Sequence, residues 1–456
     1  MTKVEPVSER SVFQETFEAQ GRPGEPAWLA ARRRDAMAAF GAQGIPTRKH
    51  EEWKYLDLSG VSEIPFRHLA PEQHPRLTAE DLDSALRSAT GGVTDSVLEQ
   101  LGEMRIVFVD GRYAPGLSQV PSLPDGVVLM NLERALQEHA TSVQQHLTKH
   151  ATFEERPFVA LNTAFLQDGI YLHLQRGARV TQPIHVVHVQ TAGDVRTAHP
   201  RHLIVLEEGA SASVVEDYLS NGGERTLTNP VTEIVLGPGA RLAWHKLARE
   251  GARSTHLAGI VCRQERDSDL STFSVTRGGK LVRNDLHDEQ VGSGASCTLH
   301  GLTVLCGTQV ADDHTTVVHR VPYGTSREYY KSILDERAEG VFNGKVFVLE
   351  GAQKTNAQQS NRNLLLSEEA LMNTKPQLEI FADDVKCSHG ATIGQLDPEK
   401  VFYLRSRGLD RETARTLLTQ AFASDVLADV VQPIRDLMQS TMTFPLCRRA
   451  GHPIRH

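Results

Sequence analysis

The sequence predicts a mainly β chain, a β-helix held between helical regions at its two ends. Three observations carry that expectation. Hydrophobic periodicity is helical up to residue 104, strand-like from Arg105 and helical again after Asp397, giving regions 1–104, 105–396 and 397–456. The middle region is dense in short β-branched runs bounded by Gly, Asp or Pro. Within it a Gly-Ala-polar step recurs at Gly177, Gly209, Gly239, Gly294, Gly351 and Gly390, mostly at intervals of roughly 30 residues or twice that.

The first helical region rests on EPAWLAARRRDAMAAF (Glu25 to Phe40), where Trp28, Ala31, Met37 and Phe40 share one face and Gly41, Gly44 and Pro46 end the helix. The run RKHEEWKYLDLS that follows is polar, with aromatic anchors at Trp53 and Tyr55. Pro71 fits the first turn of a helix, and Ala79 to Arg87 reads as another short one.

In the middle region RIVFVDG, GVVLM, GIYLHLQ, PIHVVHV, HLIVLEEG, TEIVLGPG and KVFVLEG read as strands. Several Gly-Ala steps follow a strand that ends in Leu (LQRGARV, LEEGASA, LGPGARL, LEGAQK), so each reads as a corner between strands. Self-similarity at such an interval points to a solenoid whose coils bury their apolar faces against their neighbours. A β-sandwich also favours Gly in its turns, but it has no reason to repeat them regularly. After Asp397 two helices begin at Asp residues, DPEKVFYLRSRG and DRETARTLLTQAFASDVLADVV, and a third follows Pro433. Such a helical end can cap an open solenoid.

Composition narrows the function. The 456 residues are 39% hydrophobic and 23% charged, within the globular range, and the net charge of -8 gives no attraction to a phosphate backbone. Nucleic acid is therefore not an expected partner. No apolar run of signal-peptide or membrane-spanning length is present, so the expected location is cytoplasmic. The five cysteines, Cys262, Cys297, Cys306, Cys387 and Cys447, are odd in number and form no CxxC pair, which excludes a disulfide framework and a zinc ribbon.

Catalytic signatures are missing. There is no GxSxG or HExxH, and GVFNGKV (Gly340 to Val346) lacks the spacing and the Ser or Thr of a phosphate loop. The chain is not expected to hydrolyse ATP. Asp312, Asp313, His314 and His319 read as a turn, because neighbours on a strand diverge. Cys387 and His389 in ADDVKCSHGATIG differ: two residues apart on the last strand, their side chains share one face. Thiolate and imidazole suit iron, although two donors do not complete a site. Packing in the solenoid end is the competing reading.

Longer runs are more specific. DDVKCSHGATIGQLDPEKVFYLRSRGLDRETARTLLTQAFASDVL and TSREYYKSILDERAEGVFNGKVFVLEGAQKTNAQQSNRNLLLSEEA resemble the two long signatures of the SufB/SufD family of iron-sulfur cluster assembly scaffolds. RKHEEWKYLDLS resembles that family's N-terminal segment. The resemblance implies a right-handed parallel β-helix between helical regions, in a non-catalytic subunit. It also implies a SufB-like partner in a heterodimer and a SufC-like ABC ATPase docked on the C-terminal helices, with a homodimer when the chain is alone.

Two departures place the sequence on the SufD side. SufB-like chains carry a cysteine in a GDRCGAHT-like segment where Ala370 stands here, and a glutamate where Gly390 stands. The histidine matching His389 lies at the heterodimer interface in SufD-like chains. The resemblance thus assigns His389, with Cys387 secondary, to a transient iron or nascent cluster at that interface, with no cofactor bound stably. It assigns Phe402, Tyr403, Arg405, Arg407, Leu417, Leu418 and Phe422 to the ATPase-docking surface. A carbohydrate-active β-helix enzyme would share the fold but would need catalytic groups stacked on neighbouring coils.

Overall fold

The computed structural model describes residues 12–19, 24–62, 77–89, 104–191, 196–223, 225–428, 430, 432 and 434–440. Pro71, Cys447 and the tail after Phe444 lie outside them. Two long sheets face each other. One runs by parallel pairing from Ile184–Thr191 to Lys386–Gly394, the other from Ile170–Leu174 to Leu371–Ile380. From Ile170 on, the long strands belong alternately to the two sheets, which is the path of a parallel β-helix. Register sets the coil length: Val310 pairs with Leu281 and Glu339 with Val310, each 29 positions on.

Period-2 alternation decides what enters the lumen. On one wall Ala212, Leu242, Leu270, Cys297, Ser326, Ala357 and Cys387 stack in register, and beside them Val214, Trp244, Thr272, Leu299, Glu328, Gln359 and His389. The facing wall stacks Ile204, Ile234, Cys262, Asp288 and Val317. Along these rows early coils contribute mostly apolar side chains and later ones increasingly polar ones, so the apolar core is concentrated at the N-terminal end.

Corners also stack. Gly177 donates its N–H to Glu208 O, Gly209 to Pro238 O and Gly239 to Arg266 O. Gly209 and Gly239 have φ of 67° and 66°, a left-handed conformation that glycine adopts without strain. The step at Gly390 is not a corner; it lies inside the strand Lys386–Gly394. Asp312 to His319 likewise form a strand, Val310–His319, and not a turn. The reason is the coil repeat, which places them beside Arg283 to Gln290 whatever their own β-propensity.

Helices cover the solenoid unevenly. The helix Ala27–Gln43 buries Leu29, Arg33, Ala36, Met37 and Phe40 against Pro157–Phe165. Its inner face is thus rotated from the expected one, and it includes a cation: Arg33 donates to Ala164 O at 2.7 Å and to Glu25 at 2.8 Å. Helices Leu132–Glu138, Ala140–His146 and Pro157–Phe165 interrupt the β region before the coils begin. The helix Ala79–Ala89 packs on Val187, Val189 and Leu219.

At the other end Asp397 caps Pro398–Ser406 by accepting from Glu399 N, and Asp410 caps Arg411–Ser424 by accepting from Glu412 N and Thr413 N. The helix Ile434–Ser440 follows. Ala423, Val426, Leu427, Ile434, Leu437 and Met438 bury against Phe273, Leu302 and Ile333 on the outer face of the first sheet. The C-terminal helices therefore lie along the side of the solenoid. Its last coil, Leu371–Ile380 with Lys386–Gly394, stays open.

Candidate functional site

The open coil brings Cys387 and His389 to one inward-facing row. Each continues a ladder of lumen residues, Cys387 above Ala357 and His389 above Gln359. Since no coil lies beyond it among the described residues, His389 is exposed although it faces the lumen. Cys387 is half-buried against Ala357, Val346, Val348 and Ala382, and that burial pushes its thiol above the usual range. Two soft donors on one face can share a metal ion only with further ligands from outside this coil.

Both strands of this coil end their sheets, so each presents unpaired backbone N–H and C=O groups to solvent. Apolar side chains line the same end: Phe381 is 60% exposed, Leu371 53%, Ile393 48% and Ile380 40%. Exposed edges with apolar flanks are a template for pairing with another chain. Ala370, at the position where a SufB-like chain has cysteine, is buried against Leu305 and Leu334 and offers no reactive group. A Cβ added at Gly390 meets nothing within 4 Å, so its lack of a side chain is no packing requirement.

The predicted docking residues divide into two sets. Phe402 is 72% exposed, Tyr403 57% and Leu417 43%; Arg405 and Arg407 are exposed beside them, with Arg407 over the Tyr403 ring at 5.3 Å. Leu418 and Phe422 are half-buried. Phe422 packs toward the solenoid, where Lys331 lies 4.2 Å from its ring centroid and donates to its carbonyl at 2.6 Å. Lys331 also pairs with Asp425, fixing the helix to the sheet.

Sequence reasoning missed the polar lumen. His188, His202 and Glu216, all buried, bring ligand-type atoms within 4.8 Å of one another, the geometry of a metal triad. The hydrogen bonds of His202 and Glu216 argue against one. His202 Nδ1 accepts the Ile170 N–H at 3.0 Å, so its proton resides on Nε2, which faces Glu216 Oε1 at 3.0 Å. The Tyr218 hydroxyl donates to the same carboxylate. Burial alone would raise the Glu216 pKa, but His202 and neighbouring cations hold it at about 2. A metal at His202 Nε2 would have to displace a proton that has nowhere else to go. Glu216 is thus an anion held by Tyr218 and faced by His202, while both nitrogens of the buried His188 have no hydrogen-bond partner.

Deeper along the lumen Lys246 donates to Asn284 at 2.8 Å, Asn284 to Asp313 at 2.8 Å, and Thr303 to Asp313 at 2.9 Å. Asp288 lies between the thiols of Cys262 and Cys297, where burial raises it to about 7. The signal was present in the sequence, since inward positions of PIHVVHV, VVEDY and LHDEQ alternate with outward ones. The strand phase was needed to see it.

Comparisons with known proteins agree with this architecture. Residues 188–422 match the SufBD core domain of the SUF-system FeS cluster assembly family, and residues 13–186 match the SufBD protein N-terminal region. The chain is 34% identical over 423 residues to the iron-sulfur cluster assembly protein SufD of Escherichia coli, covering 92% of this chain and 91% of that protein. It is 33% identical over 429 residues to an iron-sulfur cluster assembly SufBD family protein of Synechocystis, covering 92% and 91%. To SufD of Bacillus subtilis it is 26% identical over 416 residues, covering 89% and 91%. Among the described residues no helix is long and apolar enough to cross a membrane. With both family regions matched in order and 34% identity to a SufD protein over 92% of the chain, the chain belongs to the SufB/SufD family of iron-sulfur cluster assembly proteins, on its SufD-like side.

Proposed function

We propose that this chain is a non-catalytic subunit that pairs through its open coil with a SufB-like partner and presents His389 to iron or a nascent cluster at that interface. The observation that carries the reading is the last coil: two sheet edges left unpaired, apolar residues around them, and an exposed imidazole in the lumen row. A partner of the same fold continues both sheets by edge pairing and encloses His389, supplying the ligands this chain lacks. Cys387, with a raised thiol pKa, is the poorer donor at neutral pH and takes the secondary role.

The exposed set Phe402, Tyr403, Arg405, Arg407 and Leu417 serves as the dock for a SufC-like ABC ATPase. Aromatic and Arg residues are common interface anchors, and among the described residues nothing holds them against the solenoid. Leu418 and Phe422 support that surface from behind. The decoy GVFNGKV lies on the strand Glu339–Val348 and its Lys345 pairs with Glu52 at 2.5 Å, so ATP is handled by the partner.

The test is His389→Ala in the co-expressed complex. Assembly and folding should be unchanged while iron content and cluster yield fall. Unchanged iron and cluster yield would remove the metal role from His389.

A further inference from the structure

Glu328, Gln359 and His389 occupy one lumen row in successive coils, in direct register: Glu328 pairs with Gln359, and Gln359 with His389. Neighbouring coils are about 4.8 Å apart, so each side chain has the next within reach. Exposure rises along the row. Glu328 is 3% exposed and Gln359 4%, whereas His389 lies open to solvent.

The two buried members are incompletely satisfied. Neither end of the Gln359 amide has a hydrogen-bond partner, and Glu328 Oε1 has none. Glu328 Oε2 accepts the Thr315 hydroxyl. Burial lifts the Glu328 carboxyl to about 7, opposed first by Thr315 and then by Gln359, whose amide is therefore close without completing a hydrogen bond. The facing wall makes room for that amide: a Cβ on Gly344 would lie 2.1 Å from Gln359 Nε2 and 2.9 Å from the Phe342 ring. An apolar side chain would fill this space with no orphaned atoms, so the amide costs stability that packing does not return.

An imidazole that ligates a metal has its second N–H held by an acceptor, which fixes the tautomer and the ring orientation. Solvent supplies that acceptor to the exposed His389 of the free chain. Once a partner covers the open coil, water is excluded and the ring must find its acceptor inside the lumen. Gln359 Oε1 is the unused acceptor on the adjoining coil. We propose that Gln359 is the positioning residue of the His389 site: on partner binding its Oε1 accepts the His389 Nδ1–H, its Nε2–H donates to Glu328, and His389 Nε2 is left facing the iron or nascent cluster. This rests on the reading of His389 as an interfacial ligand and adds a buried residue to that site.

Two measurements on the complex co-expressed with a SufB-like protein test this. A crystal structure should place His389 Nδ1 about 2.9 Å from the Gln359 amide, whether or not metal is bound. Fe2+ retention against a competing chelator should fall about 10- to 100-fold in Gln359→Met and stay close to wild type in Gln359→Glu, which keeps an acceptor oxygen. Met matches Gln in size and removes both orphaned atoms, so the free variant chain should unfold at the wild-type temperature or above. His389 Nδ1 more than about 4 Å from the amide, or iron lost in His389→Ala but kept in Gln359→Met, overturns the proposal. Iron kept in His389→Ala with the Nδ1 hydrogen bond present removes the iron reading alone and leaves Gln359 as the residue that orients the ring.

Discussion

Removing the carboxylate of Glu233 should destabilise the chain more than any single surface change, because one buried side chain holds two parts of the molecule together. Glu233 is fully buried on the second sheet. Its Oε1 accepts from Arg201 Nη2 at 2.6 Å and Nε at 3.1 Å and from Thr148 N at 2.7 Å; its Oε2 accepts from Lys149, His150 and Ala151 N at 3.1, 2.9 and 3.0 Å. The carboxylate thus ties the segment 148–151, which leads into the helix Pro157–Phe165, to the solenoid. Burial opposes its ionisation, but Arg201 and then the backbone N–H groups hold its pKa below the ordinary value.

Glu233→Ala strands a buried guanidinium, at roughly 3–5 kcal/mol, and four donors, so a total loss of at least about 4 kcal/mol is expected. Arg201→Met leaves Glu233 with its four N–H donors and should cost roughly half as much. Chemical denaturation gives the global loss, and hydrogen exchange at Thr148 to Ala151 reports the local one. Because the folded pKa is lowered, this stabilisation is present above the unfolded value and disappears as pH falls through the folded one. Glu233→Ala should therefore flatten the acid limb of the stability curve. The reasoning fails if Glu233→Ala costs under about 1 kcal/mol, or if Arg201→Met costs more than Glu233→Ala.

Two further predictions concern the clasp and the corners. Glu52 binds Lys345 at 2.5 Å and faces His314 Nδ1 at 3.5 Å, while Arg283 lies 3.9 Å from the Trp53 ring centroid. Glu52 is lowered to about 2, by His314 first, and His314 is raised: burial opposes its charge, and Asp312 with Glu52 outweighs it. The Glu52 contribution is lost as pH falls toward about 2, and the His314 contribution as pH rises through its folded pKa. Protease cleavage in segment 48–58 should therefore be slower near about pH 5.5 than near about pH 8.5, and His314→Gln should abolish the difference. At the corners, a Cβ at Gly292 would lie 1.9 Å from Arg266 N, whereas one at Gly390 meets nothing within 4 Å. Gly292→Ala should lower the melting temperature by several degrees and Gly390→Ala should leave it unchanged, as differential scanning fluorimetry would show.

The coil repeat was legible because corners need left-handed residues, and Gly209 and Gly239 supply them at a regular interval. Apolar strands such as Ile184–Thr191 were legible for the same local reason. Strands such as Val310–His319 and Asn356–Leu365 were not: the polar Asp312, Asp313 and His314 masked the β-branched residues of VADDHTTVVH, NAQQSNRNLL carries weak β-propensity, and both lie in register with neighbouring coils. The helix Pro157–Phe165 was hidden differently, since it is buried on every side and has no polar face to give a 3.6-residue period. At the candidate site the shared face of Cys387 and His389 followed from their spacing. What spacing could not give is exposure, which depends on the C-terminal helices lying along the sheet and leaving the last coil uncovered.

The proposed binding of two different partners, one at the open coil and one at the exposed helix face, is tested most directly by native mass spectrometry of the chain co-expressed with a SufB-like protein and a SufC-like ATPase. The wild-type chain should appear with both. Phe381→Asp with Ile393→Asp should lose the SufB-like subunit and keep the ATPase, and Phe402→Asp with Tyr403→Asp should do the reverse. A wild-type chain that stays alone, or variants that keep both partners, would contradict the account.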